Sequence, residues 1–200
     1  MRQPRQMASK RNNGDGNRTP HGSVAPGDSS TIRHVVLGVD PGTATMGYGV
    51  VGRAGERLML IDYGVITTSA DLDLPIRLQR LYSGLTELIA RFRPAGVAVE
   101  ELFFNRNTRS ALAVGQARGV AMLAAANAGV SVSEYTPLEV KQAIVGYGRA
   151  SKQQIQRMVC MLLGLDFCPQ PDDAADALAI AICHLHSSER ARVLSEWMEV

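Results

Sequence analysis

The chain has 200 residues, 46% of them apolar and 20% charged, with a formal net charge of +2, which excludes fibrous and disulfide-scaffold classes and suits one globular domain with a full core. No apolar run approaches the ~18 residues of a membrane span, and the N-terminus lacks the apolar segment of a secretory signal, so a cytoplasmic protein with no membrane partner is expected. The three cysteines, Cys160, Cys168 and Cys183, form no CxxC pair and point to buried, reduced thiols.

Residues 1–31 are rich in Gly, Asn, Ser, Pro and Arg and offer little to bury, so a disordered basic tail is expected there. Residues 1–34 carry a net +4, which leaves −2 for the remainder. A folded domain is expected over 32–188, with 189–200 as a C-terminal tail. Residues 33–40 read as a buried strand, and Asp40-Pro41-Gly42-Thr43 as a turn, because proline fixes φ and glycine is free to take positive φ. Met46 to Gly52 and Leu58 to Thr67 continue an antiparallel meander. Leu74 to Arg91 has helical spacing in Leu74, Leu78, Leu81, Leu85, Leu88 and Ile89.

Gly96 to Glu100 is a short strand after Pro94. Thr108 is the expected N-cap of a helix to about Ala128, whose small residues Ala111, Gly115 and Gly119 would admit the sheet or a second subunit. Val130 to Tyr135 is a fifth strand. Helices follow near Leu138–Ile144 and, with Ser151 as N-cap, over Ser151–Leu163. After Pro169-Gln170-Pro171 a last helix is expected from Asp173 to Ser187. This order predicts an α/β domain with a mixed five-stranded sheet flanked by helices.

Four acids stand at element ends. Asp40 closes the first strand, kept extended by the following proline. Glu100 closes the fourth in the same sense, and ligands of open α/β sheets gather beyond strand C-termini. Asp173 and Asp176, spaced i, i+3, share a helix face. Each alone suits a turn or a helix cap; together they repel unless a cation compensates. An oxygen-only set favours Mg²⁺ or Mn²⁺ over zinc, and two such ions are the standard device for phosphodiester displacement. Cys183-His184-Leu185-His186 is a poor zinc site, since adjacent helical positions face different ways. Between Arg93 and Arg157, eight basic residues stand against four acids. That is the footprint of a phosphate-binding face, and equally of a solvated surface. Arg106, Arg109 and Arg149 are candidate phosphate contacts on charge alone.

Val36-Leu37-Gly38-Val39-Asp40-Pro41-Gly42, then Gly47-Tyr48-Gly49-Val50, resemble the start of the RuvC family of bacterial Holliday junction endonucleases. The resemblance continues in Val99-Glu100 with Phe103, in Ser110-Ala111-Leu112 and in Gly115-Gln116-Ala117-Arg118-Gly119-Val120-Ala121. It extends through Val140-Lys141-Gln142, Val145-Gly146, Lys152 and Asp173-Ala174-Ala175-Asp176-Ala177-Leu178-Ala179. It covers about residues 33–187. It implies a ribonuclease H-like fold, a homodimer and Mg²⁺-dependent, symmetric nicking of opposed strands at a four-way DNA junction, with Mn²⁺ able to substitute. It also implies the RuvA–RuvB branch-migration complex as a partner. By position, Asp40, Glu100, Asp173 and Asp176 match the family's catalytic, metal-holding acids. Phe103 matches an aromatic that stacks on a base, and Lys141 and Lys152 match residues that contact DNA.

The basic tail lies outside the family pattern. Glu101 beside Glu100 leaves the ligand at that strand end resting on alignment. Asp172 is a decoy for Asp173, excluded by the family's Asp-x-x-Asp spacing. Actin-like ATPases and sugar kinases also open on Asp-x-Gly and a glycine-rich hairpin, but need a second lobe that this chain is too short to hold. A noncatalytic junction-binding relative is the third reading, and retention of all four acids argues against it.

Overall fold

A computed structural model describes residues 32–101 and 108–198. Three strands, β1 (Arg33–Asp40), β2 (Thr45–Ala54) and β3 (Arg57–Thr67), form the meander, followed by α1 (Leu74–Phe92) and β4 (Gly96–Glu100). Then come α2 (Thr108–Asn127), β5 (Ser131–Tyr135), α3 (Pro137–Val145), α4 (Lys152–Leu163) and α5 (Asp172–Met198). The five strands lie in the order β3-β2-β1-β4-β5. The meander pairs are antiparallel, whereas β1 pairs with β4, and β4 with β5, in parallel.

Strand alternation divides the core into two layers. Leu37, Val39, Tyr48, Val50, Val97 and Val99 pack with Leu81, Leu85 and Ile89 of α1 and with Ala117, Ala121, Ala124 and Ala125 of α2. Val36, Val51, Leu60 and Ala98 turn the other way, onto Val140 and Ile144 of α3, Val159 and Leu163 of α4, and the apolar length of α5. Parity therefore places Gly38 and Asp40, and likewise Ala98 and Glu100, on the α5 side.

That side is built for close approach. A side chain at Gly38 would overlap the Ala177 carbonyl oxygen, one at Gly47 the Asp173 carbonyl, and one at Gly49 the Leu178 backbone. The helix answers with its own small residues, Ala174, Ala177 and Ala181, all buried. Glycine costs a strand interior some stability. Here it lets α5 cross directly over β1 and β2, with its first turn at the C-terminal end of β1.

The helices start and stop on local signals. Thr136 and Ser151 cap α3 and α4 with reciprocal boxes to Glu139 and Gln154. Gly146 and Gly164 end them in left-handed backbone. Thr108 is the first helical residue of α2 rather than a residue ahead of it.

One expectation needs correction. The last helix does not stop at Ser187 but runs to Met198, because residues 188–198 hold no glycine or proline and are rich in helix formers. Arg53 also reaches Glu189 at 3.8 Å. The segment expected as a tail from 189 is thus helical to Met198, though Leu194 and Trp197 are exposed. On α2, Ala117, Ala121, Ala124 and Ala125 meet the sheet, while Gly119 of the small-residue stripe faces open space, which leaves the second of its two readings, a face for another subunit.

Candidate active site

Asp40 ends β1 opposite Gly47 of β2. Glu100 ends β4, one step beyond the last register pair of these parallel strands, Val39 with Val99. Neighbouring strands lie about 4.8 Å apart, so the two acids stand side by side on one face. Glu101 is the next residue, and its alternate position turns it away. It is exposed, and its backbone N–H donates to the Tyr135 carbonyl at 2.8 Å. Of the two adjacent glutamates, only Glu100 is half-buried on the α5 side.

From above the sheet, the first turn of α5 contributes Asp173 and Asp176, both half-buried. Asp172 departs from them. It is exposed, accepts from Gln156 Nε2 at 2.9 Å and lies 3.3 Å from Lys152 Nζ. These partners hold its carboxyl below the usual range. Asp172 is thus tied to α4 on the outside of the turn.

The four inward acids act on one another. Burial, then the charges of Glu100, Asp176 and Asp173, push the Asp40 carboxyl up to about 7, with only Lys152 opposing. Burial and Asp176 raise Glu100 as well, against Lys141 and Lys152. The cation already at the cluster is Lys152, whose Nζ lies 2.9 Å from Asp176 Oδ2. The ammonium is held above its ordinary range chiefly by that contact. Among the described residues no three Asp, Glu, His or Cys side chains are drawn together tightly enough to enclose an ion. The carboxylates are neighbours around a shared space rather than a closed shell. Their all-oxygen donor set and their repulsion, which Lys141 and Lys152 offset only in part, fit hard divalent cations.

The remaining predicted residues divide. Lys141, half-buried on α3, and Lys152, at the start of α4, both reach the electrostatics of the acids. Arg149 is exposed on the loop before α4. Arg109 sits in the first turn of α2, where only its backbone is described. Phe103 and Arg106 lie outside the described residues. What the sequence reading missed is the positioning role of Gly38, Gly47 and Gly49. Glycines alternating along an apolar strand were the available signal, since such spacing marks one face approached by another backbone.

A mixed sheet with acids at the ends of two central parallel strands, and a helix crossing them with two more, defines a ribonuclease H-like nuclease. A model of the family described as crossover junction endodeoxyribonuclease RuvC matches residues 36–184. The chain is 62% identical over 158 residues to the crossover junction endodeoxyribonuclease RuvC of Rubrobacter xylanophilus, covering 79% of this chain and 88% of that one. It is 58% identical over 153 residues to that of Caldanaerobacter subterraneus, covering 76% and 93%. The structure of T. thermophilus RuvC in complex with a Holliday junction substrate superposes with a TM-score of 0.77 at 41% identity, over 80% of this chain and 97% of that one. The chain belongs to the RuvC family of crossover junction endodeoxyribonucleases.

Proposed function

We infer that this chain is a divalent-metal-dependent endonuclease that resolves four-way DNA junctions, nicking two opposed strands symmetrically to leave 5′-phosphate and 3′-hydroxyl ends. The observation that carries this reading is the meeting of Asp40, Glu100, Asp173 and Asp176 at one end of the sheet, where burial, and after it their repulsion, pushes the Asp40 carboxyl up to about 7. These four would hold the metal, with Mg²⁺ as the fitting ion and Mn²⁺ as a substitute. When bound, such ions lower the pKa of water and stabilise the charge that develops on the phosphate and its leaving oxygen.

The chain's own residues do the rest. Asp40 and Glu100 are fixed by strand pairing, and Asp173 and Asp176 by the packing of α5 against the strand glycines, so the carboxylates are aimed before substrate arrives. Lys141 and Lys152 oppose the acids' mutual repulsion and bring positive charge to the DNA backbone. Arg149 adds exposed charge to the same stretch of chain, joined in this reading by Arg106 and Arg109. Phe103 is assigned to base stacking at the crossover, on the family resemblance.

Paired cutting requires two sites, and a homodimer supplies them. Support for this is the outer face of α2, where Leu112 and Leu123 are exposed on either side of Gly119. RuvA–RuvB as the branch-migration partner and a cytoplasmic location follow from the family resemblance. Among the described residues no helix is long and apolar enough to cross a membrane.

The test is a labelled four-way junction beside a matched linear duplex, each with Mg²⁺, Mn²⁺ or Ca²⁺. The wild-type chain should cut only the junction, in symmetric pairs. Asp40→Asn should abolish cutting while junction affinity stays within about threefold, because it removes a metal ligand and leaves the basic face intact. Cutting by Asp40→Asn at the wild-type rate would overturn the assignment.

A further inference from the structure

The least expected contact outside the acid cluster joins two thiols. Cys160 Sγ, in the last turn of α4, donates to Cys168 Sγ at 3.2 Å. Both are free cysteines, and Cys168 is exposed rather than buried, contrary to the expectation from sequence. The approach is imposed by the backbone. Gly164, at φ 63, ends α4 in the left-handed region, and Leu165 N–H then bonds the Cys160 carbonyl at 2.9 Å. That reversal folds the loop back along the helix it has just left. Phe167 anchors the loop against Tyr63 with ring centroids 6.4 Å apart, and Pro169 is buried.

We propose that Cys160 and Cys168 form a dithiol that a peroxide closes into an intramolecular disulfide, bracing the loop that leads into α5. Cys168 is the accessible sulfur, while Cys160 is 8% exposed. Burial, with the Cys168 contact, pushes the Cys160 thiol up to about 11, so it waits as the second reactant. The Cys168 thiolate attacks one peroxide oxygen; the O–O bond breaks and hydroxide leaves as water, giving a sulfenic acid. Cys160 sulfur then attacks Cys168 sulfur, gives up its proton and displaces the second oxygen as water. Two thiols and one hydrogen peroxide become one disulfide and two waters, the two electrons passing to the peroxide.

The sulfurs must close from 3.2 Å to about 2.05 Å, a pull of roughly one ångström on a loop four residues ahead of Asp172. Displacements of that size in catalytic groups can cost about 10²-fold in rate. Oxidation should therefore slow cleavage without weakening junction binding.

The full chain, reduced and then treated with hydrogen peroxide, is alkylated, digested without reductant and mapped by mass spectrometry. The expected product is a peptide pair joining residues 160 and 168, Cys183 remaining alkylated, with a Tm about 5 °C higher. Cys168→Ser, an exposed change, should give no such product and cleave normally. Cys168 oxidised alone to a sulfinic acid, or a disulfide between two chains, would overturn the proposal. In a second measurement, oxidised protein should cleave a four-way junction at least about tenfold more slowly, with recovery in dithiothreitol and no peroxide effect on Cys168→Ser. An unchanged rate with the 160–168 link in place would overturn the control of cleavage. That arm rests on the nuclease reading, whereas the mapping does not, so the two can fail separately.

Discussion

At Asp40, ionisation is opposed by burial and by three carboxylates, so the folded chain holds this proton up to about pH 7 while a free aspartate loses it near 3.8. Between those values the folded state binds more protons than the unfolded one, and stability must fall as pH rises. The contribution is complete below pH 3.8 and gone above about 7; Glu100, shifted the same way, adds to it. Metal-free protein should therefore melt at a lower temperature at pH 8 than at pH 5.5 in scanning calorimetry. Added Mg²⁺ should raise the pH 8 value, and Asp40→Asn should flatten both effects. The neighbouring glutamates offer a sharper contrast. Glu100→Gln should reduce junction cleavage at least about 10²-fold, whereas Glu101→Gln, a change in an exposed side chain, should stay within about threefold. Equal losses in single-turnover assays would mean that strand parity does not select the ligand.

Among the elements, α5 and the two strands beneath it set the geometry of the site. The close crossing depends on backbone meeting backbone at Gly38, Gly47 and Gly49. Gly47→Ala would force its new methyl into the Asp173 carbonyl, and overpacking of this kind costs about 1–3 kcal/mol. The expected result is a lower unfolding midpoint together with a cleavage loss larger than the stability change explains, because the displaced residue is itself a candidate ligand. A midpoint and a rate both at wild-type values would show that α5 adjusts freely. This dependence was only half legible in the sequence. The glycines were plain, and so was the Asp173–Asp176 spacing, but nothing local says which helix covers which strand face. The full length of α5 was not legible either: the expected end at Ser187 falls 11 residues short of Met198, although the backbone needs only helix formers to continue.

For the whole molecule, the described residues of one chain present one acid cluster, and cutting two opposed strands calls for a second. Leu123→Glu places a charge on the outer face of α2, away from both core layers. If that face joins two copies, the variant should sediment as a monomer at micromolar concentration and nick junctions singly rather than in pairs. A variant that stays dimeric and cuts in pairs would place the contact elsewhere.

The sequence by itself determined the strands, their alternation, the Ser151 cap and the identity of four acids at element ends. These are local matters, written in periods of two and 3.6 residues and in capping chemistry within three or four positions. It also carried the family, through motifs spread along the chain. Tertiary structure decided what those residues are to one another: Asp40 beside Glu100, Asp173 brought over both, Asp172 turned out to Lys152 and Gln156, and Cys168 folded onto Cys160. These contacts join segments that sequence spacing does not relate. Their positions follow from how closely two elements pack, and here that distance is set by glycine and alanine at a single crossing.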